Sequence, residues 1–219
     1  MRTEKTKTIV TLGMLTALLL LFSLTPIGTI PIGPLSITLN TIPVAIGAIA
    51  LGPVGGLAMG TVFGLLSFLQ ALGIGVPSAM GVALYAINPF FCLVQRLIPR
   101  MLDGLLIGLL HSFLQKKLGG STSSFVTGFF SAFLNTVFFM SALVLLFGNT
   151  DYMSEKMAGK TALAYIVASI GTNAIVEMIV TTVVAGAVGT ALYQSHILPL
   201  KKNGTQASSQ TSEPVAMKG

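Results

Sequence analysis

Four charged side chains lie inside long apolar runs of this sequence, and they are the residues best placed to do chemistry. They are Arg96, Arg100, Asp103 and Glu177. If those runs cross a membrane, each charge costs about 2.5–3.5 kcal/mol to insert, so each needs a partner or a function. Arg100 has Asp103 one helical turn away, and these two residues with Glu177 are consistent with a structural ion-pair network. Such a network would not require any ligand.

Arg96 differs from the other three because no acidic residue lies three or four positions away from it. A buried guanidinium without a counter-ion can hold a carboxylate through two parallel hydrogen bonds. We therefore predict that Arg96 binds an acidic ligand, and that Arg96→Ala weakens binding more than Arg100→Ala. The alternative is that Arg96 pairs with Glu177 or with a backbone carbonyl.

Polar residues recur at helical spacing in the last three long apolar runs, which predicts a shared polar cavity between three helices. The polar stripes are Arg96, Arg100, Asp103 and His111; Ser124, Ser131 and Asn135; and Tyr165, Ser169, Asn173 and Glu177. From the helical rise, Arg96, Asn135 and Asn173 lie roughly 12–18 Å from the outer ends of their helices. They can therefore meet at one level, in the outer half of the membrane.

The remaining candidates are weaker. Asn135 and Asn173 suit hydroxyls and amides, but asparagines also join helices to one another. Tyr85, Asn88 and Tyr165 lie near the predicted outer interface, where aromatic residues are common in any case. We include them as secondary candidates, together with Arg100 and Glu177, for a substrate-binding site. His111 has no second histidine or cysteine nearby, so neither a metal nor another cofactor is predicted.

The composition determines the class of protein. Of 219 residues, 53% are hydrophobic and 8% are charged, whereas soluble domains are about 25% charged. This excludes a water-soluble globule and predicts an all-α bundle of six transmembrane helices, formed by residues 1–200 as a single domain. Residues 201–219 are rich in Ser, Thr, Gln and Gly and are predicted to form a disordered tail.

The basic residues predict how the chain is oriented. The predicted spans are 8–24, 41–51, 54–72, 88–117, 124–147 and 161–192. Lysine and arginine cluster before the first span, between the fourth and fifth, and after the last. By the positive-inside rule, both termini and the tail are cytoplasmic in a bacterial plasma membrane. The net charge of +6 is thereby explained without nucleic acid, which would require a basic face on a soluble domain.

Two further segments have distinctive spacing. Residues 25–40 contain Pro26, Pro31 and Pro34 among glycines and no charge, which excludes a continuous helix. We predict an extended loop, either on the outer surface or folded back as a lid. In the first span, Gly13 and Ala17 place small residues one turn apart, which allows close approach by another helix.

Taken together, these features resemble a known family. A six-helix protein with small residues at Gly13 and Ala17, and with the segments PIGTIPIGPLSITLNTIPVAIGAIALGPVGG and INPFFCLVQRLIPRMLDGLLIGLL, is similar to the S components of energy-coupling factor (ECF) vitamin transporters. It looks most like their pantothenate-specific members. The resemblance implies a non-catalytic subunit that binds a vitamin near the outer face. It also implies partners: a membrane-embedded coupling protein and two cytoplasmic ATPases. Gly13 and Ala17 would lie on the coupling surface, where the family pattern favours two alanines.

Other functions remain open. The vitamin could be riboflavin, which would favour more aromatic stacking, or thiamine, which would favour an acidic site. A self-sufficient transporter driven by protons would use Glu177 or Asp103 as its relay. An intramembrane enzyme is disfavoured because the spans offer no nucleophile paired with a base. The motif G-x-x-x-x-G-K-[ST] is absent from the sequence, so ATP hydrolysis would have to come from other subunits.

Overall fold

The computed structural model describes residues 2–32, 35–169 and 175–195, and this part of the chain is almost entirely helical. The helices are α1 (Arg2–Leu24), α2 (Thr41–Ala71), α3 (Ala79–Ile87), α4 (Pro89–Leu118), α5 (Gly120–Phe147), α6 (Asp151–Met157), α7 (Ala162–Ser169) and α8 (Ile175–Gln194). Between α1 and α2 lie a 3-10 turn (Pro26–Gly28) and the strands β1 (Thr29–Ile32) and β2 (Leu35–Thr38).

Five of the described helices are long and apolar enough to cross a membrane: Lys5–Leu24 of α1, and all of α2, α4, α5 and α8. This agrees with the predicted helical membrane protein but gives five candidate spans where the sequence predicted six. The difference arises in α2, which contains two of the predicted spans, 41–51 and 54–72. The last predicted span, 161–192, corresponds to α7 and α8, and residues 170–174 between them lie outside the described residues.

The backbone of α2 reverses direction at Gly52. This residue has φ 66° and ψ −152°, which is not helical, and Pro53 follows it. A Cβ added at Gly47 would lie 3.5 Å from the carbonyl oxygen of Gly55 and would also contact Met59. Gly47 and Met59 are twelve positions apart, which in a straight helix would separate them by roughly 18 Å. The two arms of α2 therefore pack against each other, and a glycine is required at the turn because it adopts a positive φ without strain.

Residues 25–40 form neither a helix nor an irregular loop throughout. β1 and β2 pair antiparallel, from Thr29↔Thr38 to Ile32↔Leu35, and the amide of Leu39 donates to the carbonyl of Gly28 at 2.9 Å. The prolines exclude a helix, as expected, but backbone groups inside a membrane protein still need partners. Strand pairing supplies them, and a two-stranded sheet consists only of edge strands, which tolerate proline. The all-α prediction missed this hairpin.

Glycines on α2 bring it into direct contact with α4. A Cβ at Gly56 would collide with the carbonyl group of Gly104, and a Cβ at Gly60 would collide with that of Arg100. α4 also packs against α5, α5 against α8, and α1 against α2. The backbone of α4 is therefore held against α2 at the level of the arginines.

A buried hydrogen-bonded group joins three helices further along α4. His111 Nδ1 lies 2.8 Å from Thr127 Oγ1 on α5, and His111 Nε2 lies 2.9 Å from the hydroxyl of Tyr193 on α8. Both ring nitrogens are therefore occupied within the protein. Among the described residues, no group of three or more His, Cys, Asp or Glu side chains could hold a metal ion.

Candidate functional site

A cavity of about 500 Å³ lies between α2, α4, α5 and α8, next to the end of β2. Its volume is in the range of small-molecule sites. Of the residues singled out in the sequence, the structure brings four to this cavity: Arg96, Arg100, Asn135 and Glu177. The shared cavity predicted from the polar stripes is therefore present in the described part of the chain.

Arg96 is held in a fixed orientation by two serines. Its Nη1 donates to the hydroxyl of Ser67 at 2.7 Å and to the carbonyl of Ser67 at 3.4 Å, and its Nη2 donates to the hydroxyl of Ser78 at 3.2 Å. Arg96 is 3% exposed, and its Nε is buried without a partner among the described residues. The arginine is therefore oriented by neutral groups, and its Nε donor is unused in the described chain.

Arg100 lies between two aromatic rings. Its guanidinium is 4.5 Å from the ring centre of Phe63 and 4.8 Å from that of Phe139, close enough for cation–π attraction. Within the protein it donates from Nη1 to the carbonyl of Arg96 at 3.0 Å, while its buried Nε has no partner in the described chain. The rings fix the plane of the guanidinium and leave donors available at its edge.

Two carboxyl groups lie near Arg100. Glu177 is 5% exposed and accepts a hydrogen bond from the hydroxyl of Thr41 at 3.4 Å, and that hydroxyl lies 3.0 Å from Thr181 Oγ1. Asp103 is 2% exposed, and its buried Oδ1 has no partner among the described residues. Both carboxyl groups interact electrostatically with Arg100. The three residues suspected of forming an ion-pair network are thus neighbours.

Asn135 offers an unused acceptor to the cavity. It is 7% exposed, and its Oδ1 is buried without a hydrogen-bond partner in the described chain. Such an oxygen suits an N–H or O–H group of a ligand. Asn173, predicted to lie at the same depth, is outside the described residues.

Three predicted site residues do not line the cavity. The ring of Tyr85 packs edge-on against Phe68, with centroids 6.0 Å apart. Asn88 caps α4, where its Oδ1 accepts from the amide of Phe91 at 3.0 Å. Tyr165 packs against a separate apolar cluster. All three residues lie near helix ends, but those ends do not all face the cavity.

Sequence reasoning missed several cavity residues. Ser67 carried a signal, because it follows Gly60 and Gly64 by seven and three residues and so belongs to the helix face that contacts α4. Ser78 and Gly81 carried none. A Cβ at Gly81 would lie 2.6 Å from Arg96 Nη2, so this glycine makes room for the guanidinium.

A second cavity, of about 540 Å³, is lined by Ala83, Ile87 and residues 149–152. Its only charged lining residue in the described chain is Asp151. Because no cationic side chain lines it, this cavity is a poorer match for the acidic ligand that the sequence predicted.

The small residues of α1 face away from the cavity. Gly13 and Ala17 are exposed, and a Cβ at Gly13 would meet nothing within 4 Å. This surface of α1 is open to another helix or to lipid.

The chain resembles a curated protein over most of its length. It is 28% identical over 171 residues to the pantothenic acid transporter PanT of Lactococcus lactis subsp. cremoris (strain MG1363). The aligned region covers 73% of this chain and 79% of PanT. Residues 7–189 also match the family described as ECF transporter, substrate-specific component. That match includes the cavity, the arginines of α4 and the small residues of α1. The chain therefore belongs to the substrate-specific components of ECF transporters, a family of non-catalytic, multi-pass cell-membrane subunits.

Proposed function

We propose that this chain captures pantothenate at the outer face of the membrane for import by an ECF transporter. The observation that carries the proposal is the cavity itself, in which Arg96 and Arg100 lie together with Asn135, whose Oδ1 has no hydrogen-bond partner in the described chain. Paired cationic groups beside a neutral acceptor suit a ligand that is acidic at one end and polar at the other.

The chemistry of pantothenate fits these groups. It has a carboxylate, an amide and a pair of hydroxyls, for which Arg96 and Asn135 supply a cation and an acceptor. Riboflavin would need free aromatic faces on which to stack. Phe63 and Phe139, the aromatic residues that line the cavity in the described chain, already lie against Arg100. Thiamine is cationic and would favour an acidic site, whereas two guanidinium groups and one carboxyl group line this cavity in the described chain. The similarity to PanT supports the same choice.

For the topology, we propose six membrane-spanning segments, with the two arms of α2 counted separately. Both termini are then cytoplasmic, together with the basic residues that flank α1 and end α4, in agreement with the positive-inside rule. The single transmembrane domain is 1–200, and 201–219 is a cytoplasmic tail.

The proposed partners supply the energy. A membrane-embedded coupling protein would contact α1 at Gly13 and Ala17, and two cytoplasmic ATPases would hydrolyse ATP. The chain has no phosphate-binding G-x-x-x-x-G-K-[ST] loop of its own, and no ATP-driven step is assigned to it.

Calorimetry on the purified protein tests the ligand. We expect pantothenate to bind, and riboflavin and thiamine to give no heat beyond dilution. If none of these vitamins binds, the proposed function is wrong. If riboflavin or thiamine binds instead, the family role stands and the substrate is reassigned.

Reconstitution tests the need for partners. Vesicles that contain this chain alone are expected to show no accumulation of labelled pantothenate, with or without a proton gradient. Vesicles that also contain the coupling protein and ATPases should accumulate it when ATP is enclosed. Uptake by the chain alone under a proton gradient would instead establish a self-sufficient secondary transporter.

A further inference from the structure

Two cationic side chains and one acidic side chain line the cavity, namely Arg96, Arg100 and Glu177. A second acid, Asp103, follows Arg100 by three residues on α4, and all four side chains are buried. Arg100 interacts electrostatically with Glu177, with Asp103 and with Arg96, and Asp103 also interacts with Glu177. With both acids ionised, their charges cancel those of the two arginines. With one acid protonated, the group carries one positive charge, which matches a ligand with one negative charge.

The hydrogen bonds around the two acids leave room for a proton. An ionised carboxylate normally accepts several hydrogen bonds, yet Oδ1 of Asp103 has none within the described chain although Asp103 is only 2% exposed. Among the described residues, Glu177 accepts one hydrogen bond, from Thr41 at 3.4 Å. Charged oxygens this buried and this sparsely bonded change their proton occupancy readily when a neighbouring charge changes.

We propose that Asp103 and Glu177 form a proton-binding site beside Arg100 that determines the charge of the cavity, so that protonation of this pair and binding of an anionic ligand favour each other. This rests on the proposed function, because it concerns how the same cavity selects an acidic vitamin. The proton is not the source of energy for import. It is part of what the site recognises.

Other ionisable groups near the cavity do not supply the same link. α2 and α5, which pack against α4, carry no ionisable side chain within Thr41–Ala71 or Gly120–Phe147. Arg96 interacts with Cys92 on α4 and Tyr152 on α6. Burial and then Glu155 raise the pKa of the Tyr152 phenol above its usual value, while Arg96 opposes them, so Tyr152 stays neutral around pH 7. Cys92 donates its thiol hydrogen to the carbonyl of Gly81 at 3.8 Å and does not line the cavity. The carboxyl pair therefore carries the pH response.

The way in which affinity changes with pH follows from the reciprocity between proton binding and anion binding at the site. If protonation strengthens anion binding, anion binding must increase proton occupancy by the same factor. Affinity is then highest at low pH and falls as the pair ionises. The fall is up to about tenfold per pH unit where one proton is linked.

The test measures affinity for pantothenate by calorimetry on the whole purified protein between about pH 5.5 and 8.5, where a simple carboxylate remains ionised. We expect the affinity to weaken as pH rises. The matched control is the neutral alcohol analogue of pantothenate, which should bind with little dependence on pH. Affinity for pantothenate that is flat or rises with pH would overturn the inference while leaving pantothenate capture intact. No binding at any pH would reject the proposed function itself.

Variants identify the groups. Glu177→Gln and Asp103→Asn keep the shape of each side chain and remove its proton, so each should flatten the pH profile and bind well at about pH 8.5. Full pH dependence in both variants would reject the assignment.

Should neither variant fold, wild-type titrations in buffers of different ionisation enthalpy count the protons taken up. Uptake of up to one proton per pantothenate is expected, and zero uptake across the pH range would refute the proposal. Repeating the titrations in sodium-free buffer tests whether the bound cation is a sodium ion instead of a proton. Loss of pantothenate binding in that buffer would contradict a proton site.

Discussion

At the scale of single residues, the two arginines of the cavity differ in what surrounds them. Arg96 is oriented by Ser67 and Ser78, which are neutral, whereas Arg100 has Asp103 and Glu177 as electrostatic neighbours. A positive charge that the protein leaves uncompensated gains more from an anionic ligand than one that is already opposed by carboxylates. Arg96 is therefore the stronger candidate for the carboxylate of the ligand.

This asymmetry predicts different losses on truncation. Removing one partner of a buried charge pair costs about 2–5 kcal/mol, so Arg96→Ala should weaken pantothenate binding by at least about 30-fold at neutral pH. Arg100→Ala should lose less, because the positive charge of Arg100 is already opposed by two neighbouring carboxyl groups and so contributes less to holding the ligand. Calorimetry measures both dissociation constants.

Arg96→Lys is the control for charge alone. Lysine keeps the positive charge but cannot form two parallel hydrogen bonds. The affinity of Arg96→Lys for pantothenate should therefore lie between those of the wild type and Arg96→Ala. Equal losses for the two alanine variants, or a greater loss at Arg100, would show that the roles of the arginines are assigned incorrectly.

Much of the cavity could be predicted at this scale because helical spacing fixes which residues share a face. Arg96, Arg100 and Asn135 were singled out on that basis, and all three line the cavity. The aromatic rings around Arg100 could not be predicted. Phe63 and Phe139 belong to different helices, and nothing in the local sequence distinguishes them from the other phenylalanines. Their role depends on packing between distant parts of the chain.

At the scale of elements, the contact between α2 and α4 positions the arginines. The Gly60 backbone lies against the Arg100 carbonyl, with no space for a Cβ. A larger side chain would therefore push α4 away from α2. The guanidinium groups of Arg96 and Arg100, which are attached to α4, would be displaced with it. Small residues allow helices in membranes to approach this closely.

Gly60→Val should therefore lower both stability and affinity. Overpacking of this kind costs about 1–3 kcal/mol, and we expect a lower unfolding temperature in detergent together with weaker pantothenate binding. Gly13→Ala is the matched control, since a Cβ there meets nothing within 4 Å and should change neither quantity. A Gly60→Val protein with unchanged stability and affinity would contradict the close contact.

The two departures from the predicted elements have local causes. Gly52 and Pro53 were predicted to lie between two spans, and the helix does break at Gly52. The turn is so tight that the two arms of α2 pack directly against each other. In residues 25–40, the prolines excluded a helix correctly, yet they gave no sign of the pairing between β1 and β2. Strand pairing is a contact between separate segments, and composition alone does not specify its register.

At the scale of the whole molecule, ligand binding and partner binding would use separate surfaces. The cavity is lined by residues of α2, α4 and α5, by residues 76–80 at the start of α3, by Thr38 and Asn40, and by Glu177 of α8. α1 contributes no residue to its described lining. Gly13 and Ala17 lie on an exposed face of α1. A change on that face can therefore be made without touching the proposed binding site.

Ala17→Leu is accordingly expected to separate capture from import. The added side chain would project from the exposed face of α1 and prevent close approach by a partner helix, which small residues permit. Pantothenate affinity of the isolated protein should stay within about twofold of wild type, because surface substitutions away from a site change stability by roughly 0.5 kcal/mol or less. Uptake by vesicles that also contain the coupling protein and ATPases should be strongly reduced.

Met14→Leu, on an exposed part of the same helix, is the control and should retain uptake. If Ala17→Leu transports normally, the coupling surface lies elsewhere, whereas loss of binding by the isolated protein would show that α1 supports the cavity.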